Sequence, residues 1–139
     1  MTATSNRIMY LRQSYPTVVD PMTGLNKTVQ GNPVGCLAIR VKRERKGNFL
    51  TNWLRLKSAT RTTVEYGVSV RHPSDKFNRR QARELATHRL NTEPVVFVSE
   101  SDLDRFEITA GVMEKIQSSS LPTRAVKAAK LWLDRNTED

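Results

Sequence analysis

Two runs of alternating side chains constrain this chain more than any other feature. In Pro33 to Arg45, Gly35, Leu37, Ile39, Val41 and Arg43 alternate with Val34, Cys36, Ala38, Arg40 and Lys42. In Thr60 to Val70, Thr62, Val64, Tyr66, Val68 and Val70 alternate with Arg61, Thr63, Glu65 and Ser69. A period of two over this length, rich in β-branched residues, specifies strands with one face turned to a core. Between them a turn at Lys46-Gly47-Asn48 leads into Phe49 to Lys57, where Leu50, Leu54 and Leu56 alternate with Phe49, Trp53, Arg55 and Lys57. Three consecutive strands then form an antiparallel meander.

The remainder reads as helix with shorter strands. Arg7 to Arg12 fits a first strand, and the proline- and glycine-bearing stretch from Tyr15 to Asn32 fits a loop. His72-Pro73-Ser74-Asp75 stops the third strand of the meander, because proline donates nothing to a ladder and Ser and Asp favour turns and caps. From Lys76 or Asn78 to Leu90, Ala82, Leu85, Ala86 and Leu90 form an apolar stripe. Lys76, Arg79, Arg80 and Arg83 crowd about one third of the opposite circumference. Val95 to Ser99 reads as a short strand, and Asp102 and Asp104 read as helix-capping residues. Ile108, Val112, Met113 and Ile116 mark a second helix. Pro122 opens a third, with Ala125, Ala129, Trp132 and Leu133 on one side and Arg124, Lys127 and Lys130 on another. The expectation is an α+β fold: an antiparallel meander, a basic helix after its third strand, and a C-terminal helix packed on or near the sheet. Residues 7–133 form a single domain, with flexible ends at 1–6 and at the acidic 134–139. One domain is what 139 residues support.

Charge points to the partner. The net charge is +9, but Arg40 to Arg89 holds 14 basic residues against four acidic ones, so that segment is +10 and the rest sums to −1. A solvated basic surface accounts for scattered cations better than for cations concentrated in one segment. Phosphates need several cations along a track, and bases stack on exposed aromatic faces. Arg40, Lys42, Arg43, Arg45 and Lys46 crowd a strand end and turn, and Trp53 alternates with Arg55 and Lys57. With Arg71, Lys76, Arg79, Arg80 and Arg83 these are the candidate nucleic-acid contacts. Trp53 has two readings, a stacking platform or a core residue. Because strands precede the basic helix and no second helix stands at helix-turn-helix spacing before it, a sheet-based single-strand binder is expected rather than a groove reader.

Catalysis has little to work with. His72 and His88 are far apart, Cys36 on a strand reads as a small core residue, and no phosphate-binding glycine motif or zinc spacing is present. The Asp102/Asp104 region lacks the glycine and following glutamate of a calcium loop. No enzyme, cofactor or metal is therefore expected. A single cysteine needs no oxidising compartment, and the start MTATSNRIMYLRQ has no apolar signal core, so the expected location is the cytoplasm with no membrane partner.

The stretch Tyr66-Gly67-Val68-Ser69-Val70-Arg71-His72-Pro73-Ser74-Asp75-Lys76-Phe77-Asn78-Arg79-Arg80-Gln81-Ala82-Arg83-Glu84-Leu85-Ala86-Thr87-His88-Arg89-Leu90 resembles small early proteins of tailed bacteriophages. Its strand, Pro-x-Asp-x-Phe turn and basic helix are similar to those of the single-stranded-DNA-binding transcription cofactors of podoviruses that carry a virion RNA polymerase. The resemblance implies an oligomeric single-stranded-DNA binder that assists an RNA polymerase at early promoters in the host cytoplasm, or acts in replication. It also implies that Asp75 and Phe77 cap and anchor the helix while Lys76, Arg79, Arg80 and Arg83 contact phosphate. RNA would satisfy the same stacking and phosphate contacts. A competing reading is an interaction factor that binds a host protein or polymerase through the helix around Trp132 and touches no nucleic acid. A small nuclease, the third reading, requires a metal and converging carboxylates.

Overall fold

A computed structural model describes residues 2–12, 17–28, 33–45, 60–72 and 76–137. Strands β1 (Thr2–Arg12), β4 (Pro33–Arg45), β5 (Thr60–Val70) and β6 (Val95–Ser99) form an antiparallel sheet in the order β1-β4-β5-β6. A separate hairpin joins β2 (Thr17–Val19) to β3 (Asn26–Thr28). The helices are α1 (Arg79–Thr92), α2 (Arg105–Gln117) and α3 (Thr123–Thr137). The fold is α+β, with the basic helix after β5 and a C-terminal helix against the sheet.

Register sorts the strand residues onto two unlike faces. The pairs Leu37↔Val68, Ile39↔Tyr66 and Val41↔Val64 place bulky side chains on one face. There they pack with Ile108, Val112, Met113 and Ile116 of α2 and Ala125, Ala129 and Leu133 of α3 in the main core. The pairs Cys36↔Ser69 and Ala38↔Gly67 line the other face with small side chains. Helix α1 lies on these, burying Ala86 and Leu90 against Cys36 and Ala38 with Tyr10 and Ala82 beside them. Both faces of the inner strands are thus covered, and Val34 to Ile39 are buried without interruption.

Small size at Gly67 is a steric requirement. A Cβ there would overlap the Ala86 carbonyl oxygen and the Leu90 amide nitrogen of α1. The close approach is fastened by polar contacts, since the Ser69 hydroxyl donates to the Ala82 carbonyl at 2.8 Å and the Arg89 guanidinium donates to the Val68 carbonyl. On the other side, Asp104 and Glu107 form a reciprocal capping box at the start of α2; of the two aspartates read as caps, Asp104 serves and Asp102 pairs with Arg43 instead.

Several expectations are corrected. Thr2 to Asn6, expected within a flexible end, are strand, because β1 runs from Thr2, paired along the far half of the 13-residue β4. These residues lack apolar alternation, and it is the partner strand that orders them. The stretch from Tyr15 to Asn32 is not all loop: β2 and β3 pair around a turn in which Gly24, at φ 72°, donates to the Asp20 carbonyl at 2.7 Å. The acidic end is helical through Thr137. In α1 the inward stripe is Ala82, Ala86 and Leu90, and Leu85 is 41% exposed. The expected strand Phe49 to Lys57 lies outside the described residues; β4 pairs directly with β5, and the antiparallel meander runs through β1, β4, β5 and β6 in chain order.

Two outcomes follow from the α1 face of the sheet. Replacing Gly67 with Ala lifts α1 from β5 and lowers unfolding free energy by about 2–3 kcal/mol in a denaturant titration. Burial raises the Cys36 thiol from its ordinary 9.0 to about 11, despite the opposing field of Arg83. The unfolded chain therefore loses its thiol proton first, and stability that is whole below pH 9 falls as pH rises towards 11. Urea titrations across that range show the fall, and Cys36→Ala reduces its slope while leaving the part due to Tyr66, whose hydroxyl pKa burial also raises.

Candidate nucleic-acid interface

The residues that bring cations together lie where the ends of β1, β4 and β5 meet the start of α1. Helix α1 begins after Asn78, whose extended backbone and side-chain oxygen cap it by accepting the Gln81 N–H at 3.1 Å. Its first turn contains no acidic residue and opens with Arg79 and Arg80, both exposed. Cations at the positive end of a helix dipole reinforce its field, so this terminus strongly favours an anion.

Tyr10 projects from β1 on the α1 face, opposite Cys36. Its ring meets Phe77 edge to face, with centroids 6.0 Å apart at 79°. The Arg79 guanidinium carbon sits 5.3 Å from the Tyr10 centroid and that of Arg12 sits 5.8 Å from it, both within cation–π range. Beside this aromatic pair, Arg71, Lys76, Arg79, Phe77 and Pro33 line a cavity of about 420 Å³. The Arg71 Nε is buried there with no hydrogen-bond partner among the described residues. A second groove of about 660 Å³ continues along α1, walled by Arg80, Arg83, His88 and Asn91 with Ile8 of β1. Glu84, also in this groove, pairs with Arg80 at 3.1 Å on the exposed surface.

Of the thirteen candidates, Arg71, Lys76, Arg79, Arg80 and Arg83 fall on this one side. Arg40 and Lys42 do not join them as free cations. Both face the α1 side of the sheet but are held by Glu65 of β5, at 3.7 and 2.8 Å. Arg40 also donates to Asn91 of α1. Arg43 is one residue out of phase and faces the opposite side, where it pairs with Asp102 at 3.3 Å and donates to the Leu103 carbonyl at 3.0 Å. The pleat of β4 therefore splits the cluster that looked continuous in sequence. Arg45 ends β4, with its side chain outside the described residues, and Lys46, Trp53, Arg55 and Lys57 lie outside them altogether.

Sequence reasoning missed Tyr10 and Arg12. Their available signal was position: a first strand placed beside β4 brings its last turn of alternation to the start of the basic helix. Phe77 was expected only as an anchor, and it does pack on Tyr10. Cys36 is a buried core residue, as expected. Among the described residues no group of three His, Cys, Asp or Glu stands close enough to hold a metal ion, and no helix is long and apolar enough to cross a membrane. No protein-family model, curated protein or solved structure matches the chain.

Glu65 is the fulcrum of the paired cations, since its side chain is only 12% exposed and serves both Arg40 and Lys42. Glu65→Gln leaves those two charges beside a neutral amide and costs about 1–3 kcal/mol in a denaturant titration, more than an exposed pair would.

Proposed function

We propose that this protein binds single-stranded nucleic acid, with single-stranded DNA as the partner, along the α1 side of the sheet. The observation that carries the reading is the Tyr10–Phe77 pair set between Arg12 and Arg79 beside the cavity of Arg71, Lys76 and Arg79. Phosphates along a strand are met by Lys76, Arg71 and Arg79 at the cavity and by Arg80 and Arg83 along the helix. Bases find flat surfaces in the two aromatic rings and in the Arg12 and Arg79 guanidinium planes at Tyr10. Such contacts recognise backbone charge and ring faces, and so bind with little sequence preference.

The choice of DNA and of an early-transcription setting rests on the resemblance of Tyr66 to Leu90 to podoviral single-strand-binding cofactors. In that setting the protein assists an RNA polymerase. The separation of the Phe106–Trp132 pair, 5.8 Å between centroids, from the α1 face leaves the C-terminal helix as a second surface for a protein contact.

Fluorescence anisotropy of a labelled single-stranded oligonucleotide tests the reading. Five phosphate-contacting cations predict a slope of about −3 to −4 in log affinity against log salt. Arg79→Gln with Arg83→Gln reduces that slope by about 1.4 and weakens binding roughly tenfold or more. Lys127→Gln with Lys130→Gln, on the exposed surface of α3, changes neither. Absence of binding at low salt, or equal losses from both double variants, overturns the proposal.

A further inference from the structure

A cleft of about 590 Å³ lies on the opposite edge of β5 from β4, away from the cations around Tyr10. Its origin is a mismatch of strand lengths. β6 pairs with β5 only from Thr62↔Ser99 to Tyr66↔Val95. Upstream of Val95 the chain turns through Glu93 and Pro94 into the end of α1, so β6 cannot follow β5 any further. Beyond Tyr66, no described strand pairs with this edge of β5.

The direction of the backbone groups is fixed by their neighbours. The Arg71 N–H donates to the Val34 carbonyl at 2.7 Å, which turns the odd-numbered residues of β5 towards β4. Val68 and Val70 therefore present their N–H and C=O to the cleft, where Arg89 already donates to the Val68 carbonyl. A strand edge of this kind is a template for a further strand.

The walls add specificity. On the α2 and α3 side, Tyr66, Val68, Val70 and Leu121 make an apolar wall, with Lys115 at the same cleft. On the α1 side stands Arg89, next to Gly67, which offers no side chain. Among the described residues lining the cleft, Glu93 is the one acidic side chain, against the two cations. In an added strand, residues opposite Val68 and Val70 turn to the apolar wall and those between them turn towards Arg89.

We infer that the open edge of β5 at Val68 and Val70 is a peptide-binding groove that takes an extended segment alternating apolar and acidic residues, from a partner protein. The segment adds as a short strand in line with β6, and three or four residues at about 3.3 Å each span the site. This site is independent of the nucleic-acid reading, because it shares no lining residue with the cavity around Tyr10.

Acetyl-Glu-Val-Glu-Val-Glu-Val-amide, titrated into the full-length ¹⁵N-labelled protein, tests the inference. The expected result is shifts centred on the Val68 and Val70 amides and exchange of the Val70 N–H slowed by about tenfold or more at saturation. Methylating alternate peptide nitrogens, which removes strand hydrogen bonds but keeps the charge, abolishes binding. Replacing Glu by Lys in the peptide, or Lys115→Glu in the protein, weakens it by about threefold or more. Lys115 is exposed, so that variant keeps the fold and complements Arg89→Gln, which also loses the bond to Val68. Equal affinity for the methylated or the lysine peptide, shifts centred on Arg79 and Arg83, or no binding at millimolar peptide overturns it. An oligonucleotide added in a parallel titration reports the α1 surface separately, so failure at one site is distinguished from failure at the other.

Discussion

The close seat of α1 on the small-residue face of β4 and β5 is the contact on which the other features depend. Gly67 beneath Ala86 and Leu90, with Cys36 and Ala38 alongside, lets the helix backbone approach the sheet far more closely than a leucine or valine face would permit. The opposite face has the reverse composition, with Leu37, Ile39, Val64 and Tyr66 interlocked with α2 and α3. One strand pair thus carries a bulky core on one side and a helix cradle on the other, and the pleat alone separates the two.

Seating α1 there has electrostatic consequences. It brings the cation-rich first turn of the helix to the ends of three strands, where Tyr10, Arg12 and Arg71 converge with Lys76 and Arg79. The helix covers only part of the sheet face, and the uncovered part is balanced internally by Glu65 between Arg40 and Lys42. Among the described residues of this face, the cations at the start of α1 are therefore set apart from the two that the sheet neutralises. At its far end the helix turns into the short β6 and leaves the edge of β5 open at Val68 and Val70.

Strong periodicity made much of this architecture legible. The runs in β4 and β5, the stripe of α2, the capping residue Asp104 and the short strand Val95–Ser99 were all readable because local pattern and tertiary environment agree there. Thr2 to Asn6 were not, because β4, more than thirty positions away, orders them rather than their own pattern; the β2–β3 hairpin was not, because its three-residue strands are too short to show an alternation. The site was half legible for a similar reason. Arg79, Arg80 and Arg83 share a helix face by simple geometry, but Arg40, Lys42 and Arg43 look alike in a charge count and differ entirely once Glu65 and Asp102 are placed opposite them. No composition argument pairs Tyr10 with Arg79, sixty-nine positions away, because that contact exists only through the β1–β4 register and the seat of α1.

The central claim is that the cations and rings around the start of α1 form one surface for a nucleic-acid strand. Chemical-shift mapping with a short oligothymidylate on the full-length ¹⁵N-labelled protein tests it most directly. The account predicts a continuous set of perturbed amides running from Tyr10 and Arg71 through Phe77 to Arg83, collapsing as salt is raised. Perturbations confined to α3 or to the β6 edge, or a response at Arg83 that leaves Tyr10 and Phe77 unmoved, would contradict it.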